Sequence, residues 1–177
     1  DWSSDVCSSD LPSIIVVPKS LIYNWKNEAE KFFPTLKVCI YDESVEKRKK
    51  QLEEFGDFDL IITSFDVASR DCDELQKVKF LYLVLDEAHN IKNRTTKRTT
   101  NIKKIKSQYR LALTGTPLEN SLEELWSIFD FVIPGYLGSF KQFNENYVKN
   151  EENREQKIYE LKNKITPFML RRKKKMY

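Results

Sequence analysis

The sequence is poor in the residue types that build metal and disulfide frameworks. Its 177 residues hold three cysteines and one histidine. Cys7, Cys39 and Cys72 are odd in number, widely spaced and contain no Cys-x-x-Cys pair. That pattern argues against a zinc site and against a disulfide scaffold. Glycine is also scarce, with four residues at Gly56, Gly115, Gly135 and Gly138. None of them opens a Gly-x-x-x-x-Gly-Lys-[Ser/Thr] loop, so no phosphate cradle of that kind is encoded in these residues. No apolar run approaches the length of a membrane span, and no charged segment precedes an apolar core as in a signal peptide. The expected setting is therefore intracellular, with no membrane partner. An excess of one charge is nearly lacking as well. The net charge of +3 does not by itself indicate a nucleic-acid partner. Two basic runs, Lys47 to Lys50 and Arg171 to Lys175, read as a solvated face and a tail.

The residues that are present suit one domain with a sizeable core. Residues 1–11, Asp-Trp-Ser-Ser-Asp-Val-Cys-Ser-Ser-Asp-Leu, have no period of two or of 3.6 and do not match the patterned remainder of the chain. They read as a non-native leader and are left out of the fold. From Ser13 onward, short apolar runs alternate with helical patterns. Strands are expected at Ser13 to Val17, Leu36 to Tyr41, Phe58 to Thr63, Leu81 to Leu85 and Tyr109 to Thr114. Helices are expected from Ser20 as N-cap to Pro34, from about Val45 to Phe55, and, as a polar helix, from Arg94 to Lys104. Residues 64–76 read as mixed helix and loop. This alternation implies an α/β fold with a parallel sheet wrapped by helices. After Pro117 only helices are expected. Ser121-Leu-Glu-Glu and Ser139-Phe-Lys-Gln are capping boxes, Pro134-Gly135 ends the first of these helices, and Pro167 ends the last.

The stretch Phe80 to Asn90 organises the rest. Leu81, Tyr82, Leu83, Val84 and Leu85 form a continuous apolar run, as expected of a parallel strand covered on both faces. Asp86 and Glu87 stand at its C-terminal end, where open α/β sheets place ligands. Phosphoryl transfer needs a carboxylate to hold Mg²⁺, directly or through water, and a group to orient the attacking water. Asp86 suits the first role and Glu87 the second; the bland alternative is a strand that exits into acidic surface. Lys19 and Ser20 stand at a strand-to-helix junction, where free N–H groups and partial positive charge suit a phosphate. Thr63 and Ser64 occupy a similar junction. Simple N-capping by Ser20 and Ser64 is the alternative, and the two roles are compatible. Trp25 lies in the apolar stripe of its helix and reads as core.

Asp86-Glu-Ala-His89 and, later in the chain, Thr114-Gly-Thr-Pro117 resemble motifs II and III of the superfamily 2 helicase-like motors. Pro18-Lys-Ser-Leu-Ile-Tyr-Asn-Trp25 and Leu118-Glu-Asn-Ser-Leu-Glu-Glu-Leu-Trp-Ser-Ile-Phe-Asp-Phe131 are similar to the Swi/Snf-type, DEAH-box DNA translocases in particular. Ile165-Thr-Pro-Phe-Met-Leu-Arg-Arg172 resembles the block that leads into the second motor lobe. The resemblance covers roughly residues 12 to 175. It implies a RecA-like, P-loop-NTPase-type lobe over residues 12–118, lacking its phosphate-loop part, and a helical extension over 119–177. It implies ATP and Mg²⁺ as cofactors, with Asp86 holding the metal through water. Partners implied are double-stranded DNA and the second RecA-like lobe. His89, Thr114, Gly115 and Thr116 would couple the nucleotide to movement, the glycine allowing close approach of a neighbouring loop. Lys19, Ser20, Thr63 and Ser64 would touch the DNA backbone, and Arg171 and Arg172 the lobe interface or a phosphate. The chain then reads as an internal piece of a motor, inactive alone, working in the cytoplasm or nucleoid of a bacterium or the nucleus of a eukaryote. The alternatives are part of a DEAH-class RNA helicase and a non-catalytic lobe that binds DNA or a partner.

Overall fold

The structure, a computed structural model, describes residues 11–115, 121–149 and 153–170. Five strands form one sheet in the order β2-β3-β1-β4-β5, and all neighbours pair in parallel. They are β1 (Ser13–Val17), β2 (Val38–Ile40), β3 (Leu60–Ser64), β4 (Phe80–Leu85) and β5 (Ser107–Ala112). The helices between them are α1 (Ile22–Phe32), α2 (Val45–Glu53), α3 (Phe65–Arg70), α4 (Cys72–Leu75) and α5 (Lys97–Lys104). Parallel strands need such crossovers, because a tight hairpin cannot return the chain in the same direction. After β5 come α6 (Leu122–Val132), the short α7 (Phe140–Phe143), which runs on into a π-helical turn, and α8 (Arg154–Ile165).

Alternation along β1 divides the core into two layers. Ile14 and Val16 enter the larger cluster with Ile61, Leu83, Leu85, Ile102, Ile128 and Phe131. Ile15 and Val17 face the other way, into a small cluster with Ile22 and Ile62. The second face is the less covered one. Tyr82 and Tyr109 lie there with ring centroids 5.1 Å apart, and both are exposed. The expectation that β4 is covered on both faces is therefore corrected. Phe80, Leu83 and Leu85 are buried, whereas Tyr82 is 37% exposed.

Other features differ from expectation for local reasons. α1 starts at Ile22 rather than after Ser20, because Lys19–Leu21 forms a 3-10 turn first. Ser20 is no N-cap: the cap position of α1 is Leu21, with no side-chain hydrogen bond. The Lys47 to Lys50 run is not wholly a solvated face, since Arg48 is buried against the core through an ion pair with Asp71. α5 starts at Lys97, with the Thr96 hydroxyl accepting from the Thr99 N–H. β5 begins at Ser107, earlier than the apolar run alone indicates. Ser64 and Ser121 do cap α3 and α6, and Ser139 makes a reciprocal capping box with Gln142.

The chain divides into two compact units, Asp1–Pro134 and Gly135–Tyr177. α6 thus belongs with the sheet, whereas the sequence pattern suggests a division near residue 118. Its Ser127 hydroxyl donates to the Ile91 carbonyl at 2.6 Å, and Arg110 of β5 donates to the Phe131 carbonyl at 3.1 Å. Within the second unit, the Tyr136 hydroxyl donates to the Lys164 carbonyl, and the Tyr136 and Phe168 rings meet edge to face. No helix among the described residues is long and apolar enough to cross a membrane.

Candidate functional site

Parallel pairing carries most of the expected site residues to one edge of the sheet. Val17 is in register with Ser64, and Val16 with Leu85 and Thr63. The C-terminal ends of β3, β1, β4 and β5 are therefore neighbours in that order. They deliver, side by side, Thr63-Ser64, Lys19-Ser20, Asp86-Glu87 and Thr114-Gly115.

The Asp86-Glu87 turn is held from both sides. The Asp86 N–H donates to the Val16 carbonyl of β1 at 2.9 Å. On the other side the Ala88 N–H donates to the Leu113 carbonyl, and the Leu113 N–H to the Leu85 carbonyl, each at 2.8 Å. This ladder sets the segment that leads into Thr114 and Gly115 beside the two carboxylates. Glu87 has φ 50° and ψ 53°, the one non-glycine residue with positive φ among the described residues. Such a conformation is costly for a residue with a side chain and tends to persist where a site requires it. It is held here by the Asn90 N–H and side-chain amide, which both donate to the Glu87 carbonyl.

Both oxygens of Asp86 accept a hydrogen bond. Oδ1 takes the Glu87 N–H at 2.9 Å, and Oδ2 takes the Trp25 Nε1–H at 2.8 Å. Each keeps a lone pair. Among the described residues no cluster of three or more His, Cys, Asp or Glu could hold a metal unaided. Mg²⁺ asks for less, since it retains several waters and takes one or two carboxylates together with phosphate oxygens. Asp86 fits that demand. The Glu87 carboxylate is 37% exposed, so water reaches it, and its Oε2 lies 3.2 Å from His89 Nδ1. That contact is not aligned as a hydrogen bond, and Nδ1 is buried without one.

Lys19 is exposed, and its ammonium lies 3.5 Å from Asp42 Oδ2. Asp42, just beyond the end of β2, also accepts from the Ser64 hydroxyl at 2.6 Å. It ties the two expected DNA-contacting junctions together. The sequence offers no sign of this role, because an acidic residue after a strand carries no signal by itself. Thr63 and Ser64 are buried at 0% and 2% exposure. The Thr63 hydroxyl donates to the Tyr41 carbonyl at 2.6 Å. Their side chains are engaged inside the protein, leaving Lys19 and Ser20 as the exposed pair at these junctions. Gly115 differs from expectation as well. Its φ is not in the left-handed region, and no described neighbour lies within 4 Å of where a Cβ would sit. Thr116, Pro117, Arg171 and Arg172 lie outside the described residues.

Beneath this edge a buried ion pair braces α2 against the end of α3. Arg48 Nε donates to Asp71 Oδ2 at 2.7 Å, and the Tyr41 hydroxyl donates to the same oxygen at 2.9 Å. The Arg48 pKa is raised, chiefly by its hydrogen bond to Asp71. Burial pushes the Tyr41 hydroxyl up, and the bond to Asp71 pushes it further.

Five parallel strands flanked by helices form an α/β lobe, and Asp86 and Glu87 stand at the C-terminal end of a central strand, the edge at which open sheets of this kind bind ligands. The chain belongs to the SNF2-related domain family, whose model matches residues 4–176. That match begins within the Ser/Asp-rich residues 1–11. The chain is 44% identical over 165 residues to an uncharacterized ATP-dependent helicase of Mycoplasma pneumoniae, a match covering 93% of this chain and 16% of the relative. It is 41% identical to the TATA-binding protein-associated factor MOT1 of Saccharomyces cerevisiae, covering 94% of this chain and 10% of that protein. Among solved structures, the Sulfolobus solfataricus SWI2/SNF2 ATPase core in complex with dsDNA matches with a TM-score of 0.85 and 40% identity. That match covers 95% of this chain and 35% of the other. The chain thus spans a small part of the length of its relatives.

Proposed function

We propose that this chain is part of the first motor lobe of an ATP-dependent translocase on double-stranded DNA. The observation that carries the proposal is the C-terminal edge of the sheet. It holds Asp86 and Glu87 in a turn bonded to β1 and to the segment after β5, in line with the junctions at Lys19 and Ser64. Bound Mg²⁺ and ATP would supply the electrophilic terminal phosphoryl group. Asp86 would hold the metal through water, and both of its oxygens are already oriented by N–H donors. Glu87 orients the attacking water and takes its proton, its carboxylate being solvent-accessible beside His89.

His89 and the Thr114-Gly115-Thr116 turn pass the nucleotide state to a second RecA-like lobe. The backbone ladder from Ala88 to Leu113 supports that role for the turn. Lys19 and Ser20 meet the DNA backbone directly. Thr63 and Ser64 belong to the same surface through the Asp42 link. Arg171 and Arg172 serve the lobe interface or a phosphate. Residues 12–118 form the partial lobe and 119–177 lead towards its partner lobe, with α6 docked on the sheet.

The test uses a protein in which this lobe is joined to a phosphate loop and a second lobe. Double-stranded DNA should stimulate its ATP hydrolysis, and Glu87→Gln should remove at least about 100-fold of the rate, the scale of lost general-base catalysis. Stimulation by structured RNA together with RNA unwinding would favour an RNA helicase. DNA binding with no hydrolysis in the unaltered protein would favour a non-catalytic lobe.

A further inference from the structure

The interaction least anticipated by the sequence joins α1 to the carboxylate assigned to the metal. Trp25 stands in the first half of α1, 61 residues from Asp86 in the chain. Its ring packs against the small core cluster of Ile15, Val17, Ile22 and Ile62. An indole held in such a cluster still needs an acceptor for its N–H, and here that acceptor is Asp86 Oδ2 at 2.8 Å. The other oxygen, Oδ1, is taken by the Glu87 N–H. The carboxylate is therefore fixed by two donors from two separate elements.

The choice of donor matters chemically. Indole N–H donates and cannot accept, so it does not compete for a cation. It is also uncharged, whereas a lysine or arginine in its place would neutralise the carboxylate that must hold the metal. The partly buried ring packs against the small cluster, which restrains the donor beside the oxygen.

We propose that Trp25 is a positioning residue for Asp86, fixing the carboxylate in the orientation in which it meets hydrated Mg²⁺. The proposal rests on the reading of Asp86 as the metal-holding group. Partners outside the immediate metal contacts of this kind are worth about 10–100-fold in metal affinity or activity.

Two measurements test it. In the 177-residue chain, the ¹⁵N-labelled indole N–H of Trp25, assigned through its loss in Trp25→Phe, is followed by NMR. Asp86→Ala should shift this resonance and speed its hydrogen exchange about tenfold or more, as expected for a lost charge-assisted bond, leaving Trp126 unmoved. No change overturns the proposal at its first step. In the two-lobed motor, Trp25→Phe keeps a packed ring but removes the donor. The Mg²⁺ concentration for half-maximal hydrolysis should rise about tenfold, with turnover recovering at saturating Mg²⁺. A merely structural role would lower thermal stability and leave the Mg²⁺ dependence where it was, and that result overturns the proposal. Glu87→Gln is run beside it. If Glu87→Gln is inactive and Trp25→Phe has normal Mg²⁺ dependence, the proposal alone fails. If Glu87→Gln is fully active, the underlying reading of the carboxylate pair fails.

Discussion

Replacing Arg110 by methionine removes a clamp by which β5 holds the ends of α5 and α6. Arg110 leaves β5 and donates to three main-chain carbonyls: Lys103 at 3.1 Å, Ile105 at 3.0 Å and Phe131 at 3.1 Å. Two of these close α5 and one lies in the last turn of α6, where helix carbonyls have no partner of their own. The guanidinium also lies over the Phe131 ring, 5.2 Å from its centroid. Methionine retains the apolar stem and removes every donor. A net loss of about 1 kcal/mol per bond gives about 3 kcal/mol in all. Part of that is offset, because burial opposes the charge on Arg110 and lowers its pKa. The expected cost is therefore about 2–3 kcal/mol. Arg110→Lys, with one compact ammonium in place of a planar fork, should cost about 1–2 kcal/mol. The assay is urea unfolding at 25 °C, followed by tryptophan fluorescence, to which Trp126 on α6 contributes. A loss below about 0.5 kcal/mol for Arg110→Met, with an unchanged denaturant slope, would refute the reading of Arg110 as a clamp on α5 and α6.

The same geometry sets three further outcomes. Asp71→Asn leaves Arg48 buried without its counter-charge and should cost about 3–5 kcal/mol in urea unfolding. The Cys39 thiol, pushed up to about 11 by burial and then by the charge of Glu54, makes stability fall at alkaline pH. Its folded pKa is raised, so the contribution is complete below the ordinary thiol range and is lost as pH rises towards 11. Thermal melts between neutral pH and that point should show the decline, and Cys39→Ala should reduce it, the raised Tyr41 and Cys72 supplying the remainder. Lys19→Ala should weaken binding to all double-stranded DNA sequences alike and lower the salt dependence by about one phosphate contact, read from titrations at several salt concentrations.

The parallel α/β architecture was legible because its signals are short-range. Apolar runs at Ser13 to Val17 and Leu60 to Thr63, and helix patterns between them, are properties of neighbouring residues. The position of Asp86 and Glu87 at a strand end is legible for the same reason. The features that escaped are set by residues far apart in the chain. The Trp25–Asp86 bond spans 61 residues, and Asp42 acquires its role only when β2 is placed beside β3. Trp25 did carry one usable signal, an indole N–H in an apolar stripe that had to find an acceptor. The apolar face of α6 reads equally well as the start of a separate helical region. The buried Ser127, the carbonyl clamp of Arg110, the Lys103–Asp130 ion pair and the packing of Ile128 and Phe131 in the main core tie it to the first unit. Exposure of Tyr82 was hidden for a similar reason, since an apolar run does not reveal which face its neighbours leave uncovered.

ATP hydrolysis by a protein that joins this lobe to a phosphate loop and a second lobe, measured with and without double-stranded DNA, decides whether the chain is part of a DNA motor. DNA-stimulated turnover that Glu87→Gln abolishes while DNA binding persists is the expected result. Turnover unaffected by Glu87→Gln, or a protein that binds DNA but hydrolyses no ATP, would contradict it.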